Sequence, residues 1–334
     1  DADGDGIGDT PYVVPNGLGT DYAPLMGAWE DGVIVSPPPE PKTWYVDDSG
    51  DADFTSIQDA VNNATSGDTI IVLPGNYSWF GVTKPYLTIQ AFTNDGSVIV
   101  DCKNSAGLEL PSGSNQNATG TILDGLTIVN PGAGLLLGQY GPAPNAIIRN
   151  CTFNGISASA GMVLKSPNCV FEDNIIDEAS ANNILAVQSG SVLRNNIIKN
   201  SRGSNCVIYV QNGEDVVCEN NTFVNCTGTL TYGVLLVRNS TNCAIANNTL
   251  IDIDGIGLYY YQNSADNTVI GNDFGTTTIY FRDAGNNNRI YLNNNLAGVA
   301  LHAGTTAPAT TSWNATSPVT YTYNGVEYTG YPGN

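Results

Sequence analysis

The sequence is poor in histidine, methionine and basic residues. It has one His, two Met and 11 Lys plus Arg against 31 Asp plus Glu, which gives a formal net charge of −20. Nucleic acid and anionic membrane surfaces attract basic proteins, so this balance argues against both as partners. A role in copper delivery is also poorly supported, because it would need Met and His ligands and the sequence has few of either.

Long apolar runs are missing as well. No stretch of eighteen apolar residues occurs, so we expect no membrane span in this chain. The seven cysteines form no Cys-x-x-Cys pair, which disfavours zinc and haem sites. Most of them fall at apolar positions of a repeat, which favours buried free thiols over one or two disulfides.

An Asn-centred repeat runs through the second half of the chain. Segments such as Phe171 to Asn174 recur at intervals of 22 to 27 residues, with an apolar residue two positions after the final Asn. This period fits one coil of a parallel β-helix, whereas the Leu-x-x-Leu-x-Leu frame of a leucine-rich repeat is absent. We expect each Asn amide to stand at a bend between strands and to bond backbone of neighbouring coils. The predicted column is Asn174, Asn196, Asn221, Asn248, Asn272 and Asn294.

The chain divides into four predicted segments. They are an Asp-rich segment at 1–26, a Pro-rich linker at 27–43, the β-helix at 44–303 and a hairpin segment at 304–334. Within the β-helix, apolar residues at helical spacing and a Ser56/Asp59 capping box predict a helix near 54–65 that covers the open end of the stack. The pair Asn324-Gly325 predicts the turn of the hairpin.

The start of the predicted β-helix resembles the opening of pectin-lyase-type domains. The resemblance rests on Phe54 to Val61, Gly67 to Ile70 and Pro74 to Tyr77, and the Asn coils resemble the NosD-like repeats of archaeal surface proteins. It implies an all-β, right-handed parallel β-helix on the outside of a cell. It implies no single activity, because this fold hosts many.

Acidic residues alternate with small ones at the start of the chain. Such a pattern suits an oxygen-only calcium cage and resembles EF-hand-like and thrombospondin-type-3 loops, with a solvated acidic turn as the alternative. Tyr12 stands where an EF-hand has its bidentate Glu, so Asp21 is the candidate replacement. The predicted calcium ligands are Asp1, Asp3, Asp5, Ile7 through its carbonyl, Asp9 and Asp21.

Charged residues two positions before the Asn column alternate in sign. Because neighbouring coils lie about 4.8 Å apart, these residues are expected to form an outward ion ladder rather than a catalytic set. The ladder comprises Asp124, Arg149, Glu172, Arg194 and Glu219. The motifs of polygalacturonase-like hydrolases are not assembled, since the lone His302 lies in no Gly-His-Gly. We therefore predict no catalytic residue.

Two further patterns bear on the cell exterior. A cluster of Tyr259, Tyr260, Tyr261 and Tyr280 suits either sugar stacking or core packing. N-glycosylation sequons are slightly more frequent than chance predicts, which favours export. They lie at Asn63, Asn76, Asn117, Asn150, Asn220, Asn225, Asn239, Asn247 and Asn314.

The combined sequence evidence favours a structural protein of a cell surface, such as a surface layer, sheath or coat. The segment from Asp1 to Leu25 resembles the end of a NosD-like domain, so we expect residues 1–26 to contact another copy and to build head-to-tail polymers. A tandem unit, or a segment that folds back on its own hairpin, is the alternative. A secreted polysaccharide lyase or hydrolase, or a carbohydrate-binding module with surface glycans as partners, is the alternative function.

Overall fold

The computed structural model describes most of the chain. The described residues are 12–14, 19–21, 40–103, 107–132, 134–157, 161–228, 232–253, 255–282, 285–301, 311–313, 315, 317–323 and 326–332. They fall into two compact units, Asp1–Glu40 and Pro41–Asn334. In the first unit, β1 (Tyr12–Val14) pairs antiparallel with β2 (Gly19–Asp21). Within the described residues, no helix is both long and apolar enough to span a bilayer.

The second unit is a stack of coils whose strands build three parallel sheets. The first sheet has eleven strands. They are β3 (Thr43–Val46), β4 (Thr69–Val72), β6 (Thr88–Ala91), β9 (Ile122–Asp124), β12 (Ile147–Arg149), β15 (Val170–Glu172), β18 (Val192–Arg194), β21 (Val217–Glu219), β24 (Ala244–Ala246), β27 (Thr268–Ile270) and β29 (Arg289–Tyr291).

The second and third sheets complete each coil. The second sheet contains β5 (Gly75–Ser78), β7 (Val98–Asp101), β10 (Thr127–Val129), β13 (Thr152–Asn154), β16 (Ile175–Asp177), β19 (Ile197–Lys199), β22 (Thr222–Val224) and β25 (Thr249–Ile251). The third sheet contains β8 (Leu108–Leu110), β11 (Leu135–Leu137), β14 (Met162–Leu164), β17 (Ser180–Val187), β20 (Arg202–Gln211), β23 (Leu235–Arg238), β26 (Ile256–Tyr261), β28 (Thr278–Arg282) and β30 (Gly298–Leu301).

The interior is filled by stacked apolar side chains. In a typical coil, Phe171 and Ile176 lie three before and two after Asn174 and are fully buried. Strand residues alternate between inward and outward, so each inward residue stacks on its equivalent in the next coil. Phe153 and Phe171, for example, have ring centroids 6.0 Å apart. The predicted parallel β-helix is therefore confirmed.

A short helix lies at the N-terminal end of the stack. Helix α1 spans Ile57–Asn63, with Ser56 as its N-cap, whose side chain accepts a hydrogen bond from the Asp59 amide at 3.1 Å. Its buried residues are Ile57, Ala60 and Val61. This apolar face covers core side chains that the first coil would otherwise expose to water.

The C-terminal end is covered in a different way. The Ile290 amide donates to the Ser312 carbonyl at 2.8 Å, and the Trp313 ring meets Phe281 edge-on at 6.2 Å. Beyond this contact, β31 (Val319–Tyr323) and β32 (Val326–Gly330) form an antiparallel hairpin. Its expected turn, Asn324-Gly325, lies outside the described residues.

Candidate functional site

The buried Asn side chains form a continuous hydrogen-bonded column between the first and second sheets. The Asn221 Oδ1 accepts from the backbone amide of Asn196 at 3.0 Å, and its Nδ2 donates to the Leu193 carbonyl at 3.0 Å. Asn174, Asn196, Asn248 and Asn272 bond the preceding coil through the same two side-chain atoms. The column therefore satisfies bend backbone that no sheet covers.

The prediction that Asn294 closes this column was wrong. Asn293 is buried, and its Oδ1 accepts from the Asn272 amide at 3.0 Å, whereas Asn294 is exposed. The last coil reaches its bend one residue earlier than the pattern suggested, since Ile290 is its inward residue and Tyr291 is only half-buried. Because Asn293, Asn294 and Asn295 are consecutive, the sequence does not reveal this shift.

The alternating charges lie on the outer surface of the first sheet. Arg149 pairs with Asp124 at 2.7 Å, and Arg194 pairs with Glu172 at 2.6 Å. Glu219 lies beside Arg194 in register and helps to raise the pKa of that guanidinium, after the larger effect of Glu172. Both guanidinium groups are therefore paired with carboxylates of neighbouring coils.

The second sheet carries an ion pair that the sequence analysis missed. Lys199 lies 3.1 Å from Asp177 across neighbouring coils. Burial raises the pKa of Asp177, but hydrogen bonds from Asn200 and Lys199 outweigh it and the net shift is downward. Only the pairing of the strands shows that these two residues are neighbours.

Several predicted site residues lie beyond what the structure describes. Asp1, Asp3, Asp5, Ile7 and Asp9 are outside the described residues, and only the backbone of Asp21, in β2, is described. Elsewhere, the described part of the chain holds no group of three His, Cys, Asp or Glu side chains suited to a metal. A calcium site near Asp1 stays a prediction.

Most of the described sequons lie at exposed positions. Asn63 ends α1, Asn150 is half-buried, and Asn314 lies outside the described residues. The others, Asn76, Asn117, Asn220, Asn225, Asn239 and Asn247, are exposed. The amide of Asn150 donates to Asp124 at 2.8 Å, and that of Asn239 donates to Asn212 at 2.8 Å, so both have structural partners.

All seven cysteines are buried, as the apolar positions of the repeat predicted, and none is in a disulfide. Burial raises the pKa of the Cys151 and Cys218 thiols to about 12. They remain protonated near neutral pH and are therefore poor nucleophiles.

The outer surface of the third sheet has a different character, and we call it the sheet-three face. One outward column runs along its middle, and the register places these residues on neighbouring strands. The column contains Glu109, Leu136, Val163, Ala186, Tyr209, Leu236, Tyr259, Tyr280 and Ala300. It changes from small side chains at Val163 and Ala186 to a large ring at Tyr209.

A second outward column borders the first. It contains Lys165, Gln188, Gln211, Arg238, Tyr261 and Arg282, which follow one another across six coils without an acidic residue. Within the described chain, Lys165 forms no ion pair, in contrast to Arg149, Arg194 and Lys199. This column thus carries the cations Lys165, Arg238 and Arg282 without an intervening carboxylate.

An aromatic cluster occupies the C-terminal half of the sheet-three face. Tyr232 packs edge-on against Tyr259 at 5.6 Å, and Tyr280 stacks on Tyr259 at 5.3 Å. The guanidinium groups of Arg238 and Arg282 lie 5.2 and 5.1 Å from the centre of the Tyr261 ring. Aromatic stacking and cation–π contacts both hold these side chains in place.

Two of the tyrosines proposed for sugar stacking are unavailable for it. Tyr260 points into the core and stacks on Phe281 at 5.4 Å, while Tyr259 is fully covered by its neighbours. Tyr261 and Tyr280 are half-buried on the outer face. Tyr209, which the sequence analysis did not single out, belongs to the same face.

A depression lies next to Tyr209, where the small side chains of the first column leave room. It has a volume of about 270 Å³ and is lined by Val163, Leu164, Lys165, Asn183, Ala186, Val187, Gln188, Tyr209, Gln211 and Asn212. Its apolar floor is Val163 and Ala186. The Tyr209 hydroxyl accepts a hydrogen bond from Arg238 at 3.3 Å, which links this wall to the aromatic cluster.

The electrostatics of Tyr209 agree with its position. Burial raises the pKa of its hydroxyl, although the hydrogen bond and charge of Arg238 act in the opposite direction. The ring therefore remains neutral near physiological pH and presents an uncharged aromatic edge to the depression. Apolar floor, aromatic wall and convergent polar groups are the usual composition of a small-ligand site.

The family of the chain follows from its sequence. The model of the right handed beta helix region matches residues 88–249 and 143–297, which together cover more than half of the chain. The protein therefore belongs to the right-handed β-helix family. No match was found among curated protein sequences.

Several solved structures share this architecture at low similarity. A mannuronic acid-specific polysaccharide family 6 lyase from human gut microbiota is 13% identical, with a TM-score of 0.48, over 81% of this chain and 78% of that one. The surface adhesin PfbA of Streptococcus pneumoniae is 12% identical, with a TM-score of 0.40, over 83% and 94%. An alpha-1,3-glucanase from Streptomyces thermodiastaticus is 12% identical, with a TM-score of 0.42, over 83% and 70%. None of these similarities bears on activity.

Proposed function

We propose that this protein is an extracellular cell-surface β-helix that binds carbohydrate on the sheet-three face. The observation that carries the proposal is the depression beside Tyr209, which continues into the row of polar and aromatic side chains from Lys165 to Arg282. Sugar rings offer apolar faces to aromatic side chains and hydroxyl groups to amides. The depression supplies both kinds of partner.

The scaffold supports binding to an extended ligand. Consecutive coils repeat about every 4.8 Å, so equivalent side chains form straight rows along the stack. A chain of sugar rings laid along these rows would meet a similar set of groups at each coil. The stacked core and the Asn column hold the backbone of these rows in place, so binding needs little backbone ordering.

The test is a comparison of two tyrosine variants on a glycan panel. We expect Tyr209→Ala to lower the affinity for the glycans that the unmodified protein binds, because the aromatic wall is lost. Tyr45→Ala is the control, since Tyr45 lies on the first sheet and is 42% exposed. Equal loss in both variants, or undiminished binding by Tyr209→Ala, would refute the proposal.

The same assay addresses the enzymatic alternative. A polysaccharide lyase releases unsaturated sugars and a hydrolase releases reducing ends, whereas a binding protein leaves the glycan intact. Product formation that disappears in Tyr209→Ala would assign catalysis to the sheet-three face. Product formation that survives this change would place the activity elsewhere.

A structural role as a self-assembling surface protein is the second candidate. The division of the chain at Glu40 into two units supports it, because a separate N-terminal unit could engage another copy. Calcium at Asp1 to Asp9 would stiffen that joint. Negative-stain microscopy with and without a chelator is the test, and particles that stay single in calcium would contradict this role.

A further inference from the structure

The polar groups around the depression differ in whether they already have partners. The Asn183 Oδ1 accepts from Asn205 and the Asn212 Oδ1 accepts from Asn239. By contrast, the side-chain amides of Gln188 and Gln211 and the ammonium group of Lys165 form no hydrogen bond with the described residues. Three polar groups therefore border the depression with unused hydrogen-bonding capacity.

Lys165 differs from the three basic residues that form ion pairs across neighbouring coils. Arg149, Arg194 and Lys199 each pair with a carboxylate of a neighbouring coil, although the fold offers Lys165 neighbours at the same spacing. One residue beyond the paired strands, its counterpart on the next coil is the uncharged Gln188, and Gln211 follows on the coil after that. Within the described part of the chain, this cation therefore lies beside the depression without a counterion.

From this arrangement, and resting on the carbohydrate-binding function proposed above, we propose that the depression binds one acidic sugar residue. The ring lies on Val163 and Ala186 against Tyr209, and its anionic group, a carboxylate or a sulfate, contacts Lys165 and Gln188. Arg238 and Arg282 extend the cationic row for the following residues of an acidic chain. The site is a local exception to the net charge of −20, which would repel a polyanion from the rest of the surface.

The experiment compares acidic oligosaccharides with neutral forms of the same sugars. Oligomers of galacturonate, mannuronate and glucuronate are titrated against the protein beside their methyl esters, which keep the rings and remove the charge. A sulfated oligosaccharide forms a separate arm and distinguishes a sulfate from a carboxylate ligand. We expect tighter binding of an acidic oligomer than of its neutral form, with a preference that weakens as salt is added.

A charge-matched pair of variants locates the effect. Lys165→Gln should weaken binding of the preferred acidic oligomer about two- to fivefold and leave binding of its neutral form unchanged, because one exposed charge contact is lost. Lys199→Gln makes the same change in net charge on the second sheet and should leave both affinities unaltered. Circular dichroism verifies that each variant is folded.

The outcomes separate this inference from the proposed function. Equal binding of acidic and neutral forms, both abolished by Tyr209→Ala, would overturn the acidic preference and leave carbohydrate binding intact. An acidic preference unaffected by Lys165→Gln would overturn the assignment of this site. Failure to bind any oligosaccharide of the panel would overturn both.

Discussion

Replacing Asn221 by Ala should destabilise the β-helix far more than its small change in volume suggests. The side chain is buried and bonds the preceding coil twice, through the Asn196 amide at 3.0 Å and the Leu193 carbonyl at 3.0 Å, and it donates to the Asn248 Oδ1 of the following coil at 3.0 Å. Ala would leave the Asn196 N–H buried without its partner, which costs about 1–3 kcal/mol. The lost bond to the Leu193 carbonyl adds about 1 kcal/mol, so we expect a total of about 2–4 kcal/mol.

Urea unfolding followed by circular dichroism measures this loss. Asn294→Ala is the matched control, because Asn294 is exposed and lies beside the column rather than in it. Exposed substitutions of this kind usually change the free energy of unfolding by no more than about 0.5 kcal/mol. A similar small effect for Asn221→Ala would show that water replaces the amide and that the column is not needed for stability.

Three further predictions concern the cysteines, one buried acid and the N-terminal segment. The seven thiols should not react with a thiol reagent in the folded protein at neutral pH and should all react after denaturation, since burial raises the pKa of thiols such as Cys151. Rapid labelling of the native protein would contradict this. Asp68→Asn should be destabilising at neutral pH, with a deficit that shrinks below about pH 4. Burial raises the pKa of Asp68, but donors from Lys42, Thr65 and Trp44 lower it overall, so its stabilising effect exists above the unfolded pKa and is lost as pH falls through the folded pKa. An Asp68→Asn deficit that is constant between pH 7 and pH 3 would refute this. Deleting residues 1–26 should abolish calcium-dependent assembly and leave the β-sheet circular dichroism unchanged; normal polymers from the deletion variant would count against a role of this segment.

The fold was predictable because its signal repeats. The five coils from Phe171 to Phe274 each contribute the same pair of inward residues and one buried Asn, so an error in one coil is corrected by the others. The last coil shows the limit of such a prediction. Asn293, Asn294 and Asn295 are the same residue type, so the sequence pattern cannot tell which of them belongs to the column. Only the inward position of Ile290 decides that Asn293 belongs to the column.

The candidate site was harder to predict because it depends on the register of the third sheet. Coil lengths vary on both sides of the third sheet, and the pairing of β17 with β20 contains an irregularity near Ala181. An alignment centred on the Asn column therefore loses the third-sheet positions. Lys165, Gln188, Gln211 and Arg238 become neighbours only once the strands are paired.

The tyrosines illustrate the same difficulty at a single strand. Consecutive residues in β26 point to opposite sides, so Tyr260 enters the core while Tyr259 and Tyr261 face outward. Sequence alone identified the cluster but could not show that Tyr232, from a loop, covers Tyr259. The one ring that borders the depression, Tyr209, had no aromatic neighbours in sequence.

A crystal structure of the protein with the tightest-binding oligosaccharide of the panel tests the central claim most directly. The account predicts a sugar ring over Val163 and Ala186 against Tyr209, with an anionic group beside Lys165. Further rings should follow the row toward Arg238. A sugar bound on the ion-paired surface of the first sheet, or at either end of the stack, with the sheet-three face empty would contradict it.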